Sequence, residues 1–151
     1  MLKYREGYWY QTTPVMLKYK EGYWYQTTEG QSIQLPFVCQ DYTSDGHWVS
    51  IRAGRLFTRF GYAWDGASFV LFRWFGTPKR WLVPSLFHDA LYQTIREGKL
   101  GREYRDAVDC MFYEALRARG VSWLVATVAY HCIRVGGNFE VRTTNPIREA
   151  L

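Results

Sequence analysis

Residues 85–119 read SLFHDALYQTIREGKLGREYRDAVDCMFYEALRAR, and this stretch decides the fold because it divides into two amphipathic helices around a glycine-bounded turn. Phe87, Leu91 and Ile95 recur every four residues, on one face of a helix expected over 85–97 with Ser85 as its N-cap. Gly98 closes it. A second helix is expected over 102–119, with Val108, Met111, Phe112 and Ala115 as its apolar stripe and Gly120 as its stop. The connection, residues 98–101, is short enough to make the two helices antiparallel neighbours.

This hairpin assembles a polar cluster. His88 is rotated about 100° from Phe87, toward the edge of the core stripe, and is expected to be half buried. Asp109 points inward with Phe112 and Leu116, whereas Asp106 shares the outer side with Tyr113 and Arg117. At about 1.5 Å per residue, His88 and Asp109 both lie roughly 11–14 Å from the turn, so they are level. A carboxylate opposite an imidazole holds one ring nitrogen and leaves the other free, which is the wiring of an activated histidine base. The same pair serves equally as a buried pin fixing the register of two helices, with Asp89 an ordinary first-turn acid. No serine or cysteine nucleophile stands at a diagnostic spacing.

Upstream, residues 33–62 carry a β pattern, and the runs 47–52 and 55–60 flank Ala53-Gly54 as a hairpin. Residues 61–84 contain Gly61, Gly66, Gly76 and Pro78, so a long loop is expected there, a candidate site wall. Asp65 precedes Gly66 and reads as a turn residue; the alternative is that Asp65 and Asp89 give oxygens to a divalent cation such as Ca2+. Downstream, a third helix is expected over 122–135, ended by Gly136-Gly137. Being apolar nearly all round, it is expected to be central and buried. His131 on it is expected to be structural, and the tail holds one strand-like run, 139–142. The fold class is α+β: N-terminal antiparallel strands and a hairpin, a long loop, then three helices.

Residues 1–13, MLKYREGYWYQTT, recur as residues 16–28, MLKYKEGYWYQTT, with only Arg5 and Lys20 differing. Two copies are too few for a solenoid. The chain therefore divides into a duplicated arm, 1–15, and a single α+β domain, 16–151. The extra copy is either a plain duplication, with Met16 as an alternative start, or an edge strand used in assembly.

A chain of 151 residues suits one core, and 48% hydrophobic with 19% aromatic residues argues against disorder. A net charge of +5 favours acidic partners such as nucleic acid, anionic lipid or a negatively charged protein. Nucleic acid is not the expected main ligand, because the basic residues are scattered and Arg73, Lys79 and Arg80 form the nearest thing to a patch. Cys39, Cys110 and Cys132 are odd in number and lack CxxC spacing, so reduced thiols are expected rather than a disulfide framework or a zinc site. With charges at Lys3, Arg5 and Glu6 and no apolar h-region a secretion signal is not expected, and the longest apolar run, 123–130, falls short of the roughly 20 residues a bilayer span needs. A soluble protein is expected.

The runs GYAWDGAS at 61–68 and SLFHDALY at 85–92, followed by Arg105, Asp109 and Phe112, resemble a small family of tailed phages and prophages, catalogued as domain of unknown function 1353. The resemblance spans roughly residues 30–137. It implies a phage setting, in the host bacterial cytoplasm or the virion, with other phage structural proteins or a second copy as partners, and it carries no defined activity. An apolar run, 69–72, stands where the family has proline soon after its Asp-Gly-Ala-Ser segment.

A second, local resemblance is to the phospholipase A2 superfamily, whose His-Asp-x-x-Tyr helix faces an Asp on an antiparallel partner; His88, Asp89, Tyr92 and Asp109 match it. It implies that His88 activates water, Asp89 binds calcium and Asp109 orients His88. That superfamily's disulfides and calcium-loop motif are missing from this sequence. The candidate residues are then His88 and Asp109 for catalysis, Tyr92, Arg105 and Ser68 for binding, and Asp89 and Asp65 for metal. Two functions stay open: a metal-assisted ester hydrolase, or a non-enzymatic tail, baseplate or host-interaction protein with a structural His-Asp pair.

Overall fold

A computed structural model describes the backbone of residues 2–5, 8–11, 19–20, 25–44, 46–66 and 77–140, and side chains at 25–44, 46–66 and 77–136. Among the described residues, short strands precede three helices: β1 (Leu2–Arg5), β2 (Tyr8–Gln11), β3 (Tyr19–Lys20), β4 (Tyr25–Thr27), β5 (Gln31–Gln34), β6 (Tyr42–Thr43), β7 (Val49–Arg52), β8 (Arg55–Thr58) and β9 (Ala63–Trp64), then α1 (Lys79–Arg96), α2 (Arg105–Ala118) and α3 (Trp123–Glu140). The architecture is α+β.

Ala53 and Gly54 both take positive φ, 48° and 70°, as a type I′ turn requires, and its twist matches the strands it joins. β7 and β8 accordingly close as the expected hairpin, with Ile51 opposite Leu56. They form the centre of a four-stranded antiparallel sheet of order β5-β8-β7-β6. The duplicated segments behave differently from each other. The first pairs within itself as β1 and β2, with Tyr4 opposite Trp9. In the second, the equivalent Tyr19 lies opposite Thr27, and β4 pairs onward with β9, Tyr25 opposite Trp64. One sequence thus takes two registers, as short strands lacking a strongly one-sided face permit.

Alternation along the four-stranded sheet buries Ile33, Val49, Ile51 and Leu56, which join Leu82, Leu86, Phe87, Ala90 and Leu91 of α1 in the main core. α1 is the central element: 14 of its 18 residues are buried. This corrects the expectation that the third helix is the central buried one. α3 lies on α2 through Ala126 and Ala129, against Trp81, Phe112, Leu116 and Val121. Its Trp123, Leu124, Val125, Val128 and Val135 are exposed. Apolar composition all round a helix does not reveal which side the rest of the chain covers; here the two small alanines allow the close approach to α2.

α1 also starts six residues before Ser85, with Pro78 at its N-cap and Pro84 inside it. Pro84 forfeits one helical hydrogen bond, yet both it and Ser85 are buried, so packing outweighs the breaker. Ser85 is no cap: its hydroxyl donates to the Leu82 carbonyl at 3.0 Å and accepts the Trp64 indole N–H at 3.1 Å. The segment expected as one long loop is therefore part strand, β9, and part helix; residues 67–76, which include Ser68 and the apolar run 69–72, lie outside the described residues. α2 matches its expectation, with a 3-10 turn at Arg102–Tyr104 before it. α3 continues through Gly136 and Gly137 to Glu140, so the glycines do not end it and the expected strand 139–142 begins in helix; residues 141–151 lie outside the described residues.

Candidate functional site

His88 and Asp109 meet across α1 and α2. The ring Nε2 of His88 lies 3.0 Å from Asp109 Oδ1, and Asp109 is fully buried at 0% exposure. The helical phase that turned Asp109 inward and Asp106 outward is observed: the Asp106 side chain is 73% exposed. His88 is more enclosed than expected, at 7% exposure. Its ring packs at centroid distances of 4.2 Å on Tyr92 and 5.1 Å on Phe112.

Asp109 gathers further donors. Tyr92 donates its hydroxyl to Oδ1 at 2.7 Å, and Arg134 of α3 donates Nη1 to Oδ2 at 3.1 Å. Arg105, one turn earlier on α2, brings Nε within 3.7 Å of Oδ2, a charge contact rather than a hydrogen bond. The same Nε donates to the Tyr92 oxygen at 3.1 Å, and its Nη2 donates to the carbonyls of Ile133 and Arg134. Arg134 also holds Asp106. The network therefore ties all three helices to one carboxylate. Arg134 was missed in the sequence because its link to Asp109 spans 25 positions and nothing local to α3 marks it.

These contacts set the protonation states. Burial alone would raise the Asp109 pKa, but the hydrogen bonds from His88, Tyr92 and Arg134 and the nearby positive charge hold it below its usual 3.8. For His88, burial pulls downward, and the hydrogen bond to Asp109 with the two neighbouring carboxylate charges outweighs it, leaving the ring more basic than its usual 6.5. Burial pushes the Tyr92 phenol upward, and Asp109 adds to that against the opposing Arg105. Asp89, Asp106 and Asp109 face Arg105 and Arg134, so the cluster is neutral when His88 is protonated.

The second ring nitrogen, Nδ1, faces Asp89 Oδ1 at 3.7 Å, and the Asp89 side chain is 27% exposed. This is the one side of the imidazole that leads toward partly accessible carboxylate oxygen. Tyr92 and Arg105, expected to bind, are spent on the Asp109 network. Ser68 lies outside the described residues.

Asp65 follows β9 and precedes Gly66, whose φ of 74° fits the turn reading; a Cβ at Gly66 would collide with Thr77 Oγ1. Asp65 and Asp89 both raise the pKa of the buried Tyr62 phenol, after the larger effect of burial, so both lie within its electrostatic reach. Among the described residues no three His, Cys, Asp or Glu side chains group as a metal site. Asp65 and Asp89 are the acids that would give oxygens to a divalent cation here. Nor does a disulfide form among Cys39, Cys110 and Cys132.

No protein-family model, curated protein or solved structure matches the chain. The resemblances to the phage family and to phospholipase A2 rest on their motif residues.

Proposed function

We propose that the chain is a phage-encoded ester hydrolase in which His88 transfers the proton and Asp109 positions it. The observation that carries this reading is the split use of one imidazole: Nε2 is bonded to a fully buried carboxylate, while Nδ1 faces the partly exposed Asp89. A buried anion behind a histidine fixes its tautomer and raises its basicity, so that the far nitrogen takes a proton from water and returns it to the leaving alcohol. Tyr92 and Arg134 hold Asp109 rather than substrate, and are positioning residues. The phage setting comes from the three-motif resemblance. The test is acyl release from a phospholipid ester by wild type and by His88→Gln. Loss of hydrolysis in a folded variant supports the reading.

A second reading, a non-enzymatic virion or host-interaction protein, is favoured by the way Asp109 gathers donors from α1 and α3 onto α2. A network joining three helices fixes their packing whether or not chemistry occurs there. In that case His88→Gln alters stability, and the wild type hydrolyses nothing.

A further inference from the structure

β4 fills a berth defined by its side chains as much as by its backbone. Thr27, 1% exposed, donates its N–H to the Tyr62 carbonyl at 2.9 Å and its hydroxyl to the Arg59 carbonyl at 2.8 Å, while its own carbonyl accepts the Gly61 N–H at 2.8 Å. Gln26 Nε2 donates to the Gly61 carbonyl at 3.0 Å, and the Tyr25 hydroxyl accepts the Thr77 N–H at 3.1 Å. The Tyr25 ring lies 5.5 Å, centroid to centroid, from Trp64, its partner across the strands. Three consecutive residues, Tyr-Gln-Thr, thus hold residues 59–64 and the approach to α1.

The chain carries that tripeptide twice. Residues 10–12 repeat residues 25–27, and the flanks match as well, since 1–13 and 16–28 differ only at Arg5 and Lys20. Every group that the berth engages therefore has an equivalent in the first copy: Tyr10 for Tyr25, Gln11 for Gln26 and Thr12 for Thr27. Nothing in this chemistry distinguishes the copies. Nor is the pairing of the segment unique, because Tyr4 lies opposite Trp9 whereas its equivalent Tyr19 lies opposite Thr27. What separates the copies is the length of chain to β5. Residues 28–30 join Thr27 to Gln31, and residues 13–30 join Thr12 to Gln31, a sixfold longer closure that disfavours the first copy about 15-fold by loop entropy.

We propose that the berth beside β9 is a strand-receiving site with two occupants built into the chain: residues 25–27 in the register described, and residues 10–12 as a spare that enters in cis when the second copy fails. Residues 13–30 then loop out before β5, and Tyr4 and Arg5 take the places of Tyr19 and Lys20. The tether holds the spare at an effective concentration on the order of mM, so a second molecule does not compete below that. The duplication thereby buffers β9, and the Tyr62 hydroxyl that donates to Gln93 at 3.2 Å, against loss of either copy. This rests on the repeat and its berth, not on the chemistry of His88.

The experiment is urea unfolding of the full chain carrying Thr27→Pro, which removes the N–H that reaches Tyr62, in two backgrounds. Alone, Thr27→Pro is expected to lower the folding constant by no more than about 15-fold, the loop penalty of falling back on the first copy. In a Thr12→Pro background no intact copy remains, and the same change is expected to lower it at least about 100-fold, through a lost ladder bond and an orphaned buried acceptor. Equal factors in the two backgrounds, or a Thr27→Pro chain that does not fold, overturn the proposal. A covalent trap reads the exchange directly. Gln26 stands opposite Ala63, so Gln11→Cys and Ala63→Cys come within disulfide reach in the exchanged register. With Thr27→Pro present, peptide mapping is expected to find the 11–63 bridge within single chains. Its absence, or a bridge formed only between chains, would contradict entry in cis.

Discussion

His88 Nε2 and Asp109 Oδ1 stand 3.0 Å apart across two antiparallel helices, with the aspartate wholly removed from solvent. Everything else at the site follows from how that carboxylate is satisfied. Two residues of α1, one of α2 and one of α3 reach it, by hydrogen bond or charge contact, so removing the acid strands several donors at once.

Asp109→Ala is accordingly expected to cost about 3–5 kcal/mol, the range for breaking a buried ion pair from one side. Asp106→Ala, at a side chain 73% exposed, should cost under about 1 kcal/mol. Urea unfolding of the two variants measures the difference. Equal losses would mean that burial of Asp109 carries no energetic weight.

Tyr92→Phe removes the hydroxyl that donates to Asp109 and accepts from Arg105. Both partners stay buried or half buried, so a loss of about 1–3 kcal/mol is expected. Retained stability would show that the Asp109 carboxylate is satisfied without it.

The pH dependence has two limbs of opposite origin. The His88 pKa is raised on folding, so its contribution is complete below 6.5 and is lost as pH rises through the higher folded value. Asp109 is depressed on folding, so its contribution is present above 3.8 and is lost as pH falls through the lower folded value. Melting temperature should thus decline on the alkaline side of 6.5, and His88→Gln should flatten that decline. Hydrolysis, which needs the deprotonated ring, should rise with pH over the window in which stability falls.

Ala53 occupies the left-handed region at φ 48° without being glycine. Ala53→Asn places a residue there that the region tolerates, and is expected to stabilise the hairpin by about 0.5–1 kcal/mol. Thermal unfolding checks the sign.

Among the described residues no three His, Cys, Asp or Glu side chains group as a metal site. A reaction in which His88 acts on water directly predicts hydrolysis that survives a chelator. A loss that calcium restores would return Asp65 and Asp89 to the role of ligands.

The elements that sequence exposed were those fixed by local geometry. Ala53-Gly54 marked its hairpin because the turn type demands those backbone angles, and the phase of α2 separated Asp109 from Asp106 because helical periodicity alone decides it. The misread elements depended on neighbours. Ser85 read as the cap of the first helix, but α1 is held by burial on nearly every side, begins at Lys79 and carries Pro84 within it. α3 suggested a core helix, and only the tertiary arrangement shows its large side chains facing outward. Arg134 reached Asp109 from that same helix with no sequence-local signal.

The most direct test of the catalytic reading is fatty-acid release from phosphatidylglycerol vesicles by wild type and His88→Gln, scored beside their melting temperatures. Glutamine keeps an N–H that reaches toward Asp109, so the variant should stay folded and lose hydrolysis by at least about 100-fold. Hydrolysis that persists in His88→Gln would contradict the catalytic role. So would a wild type that binds the vesicles, releases no fatty acid and depends on His88 for stability alone.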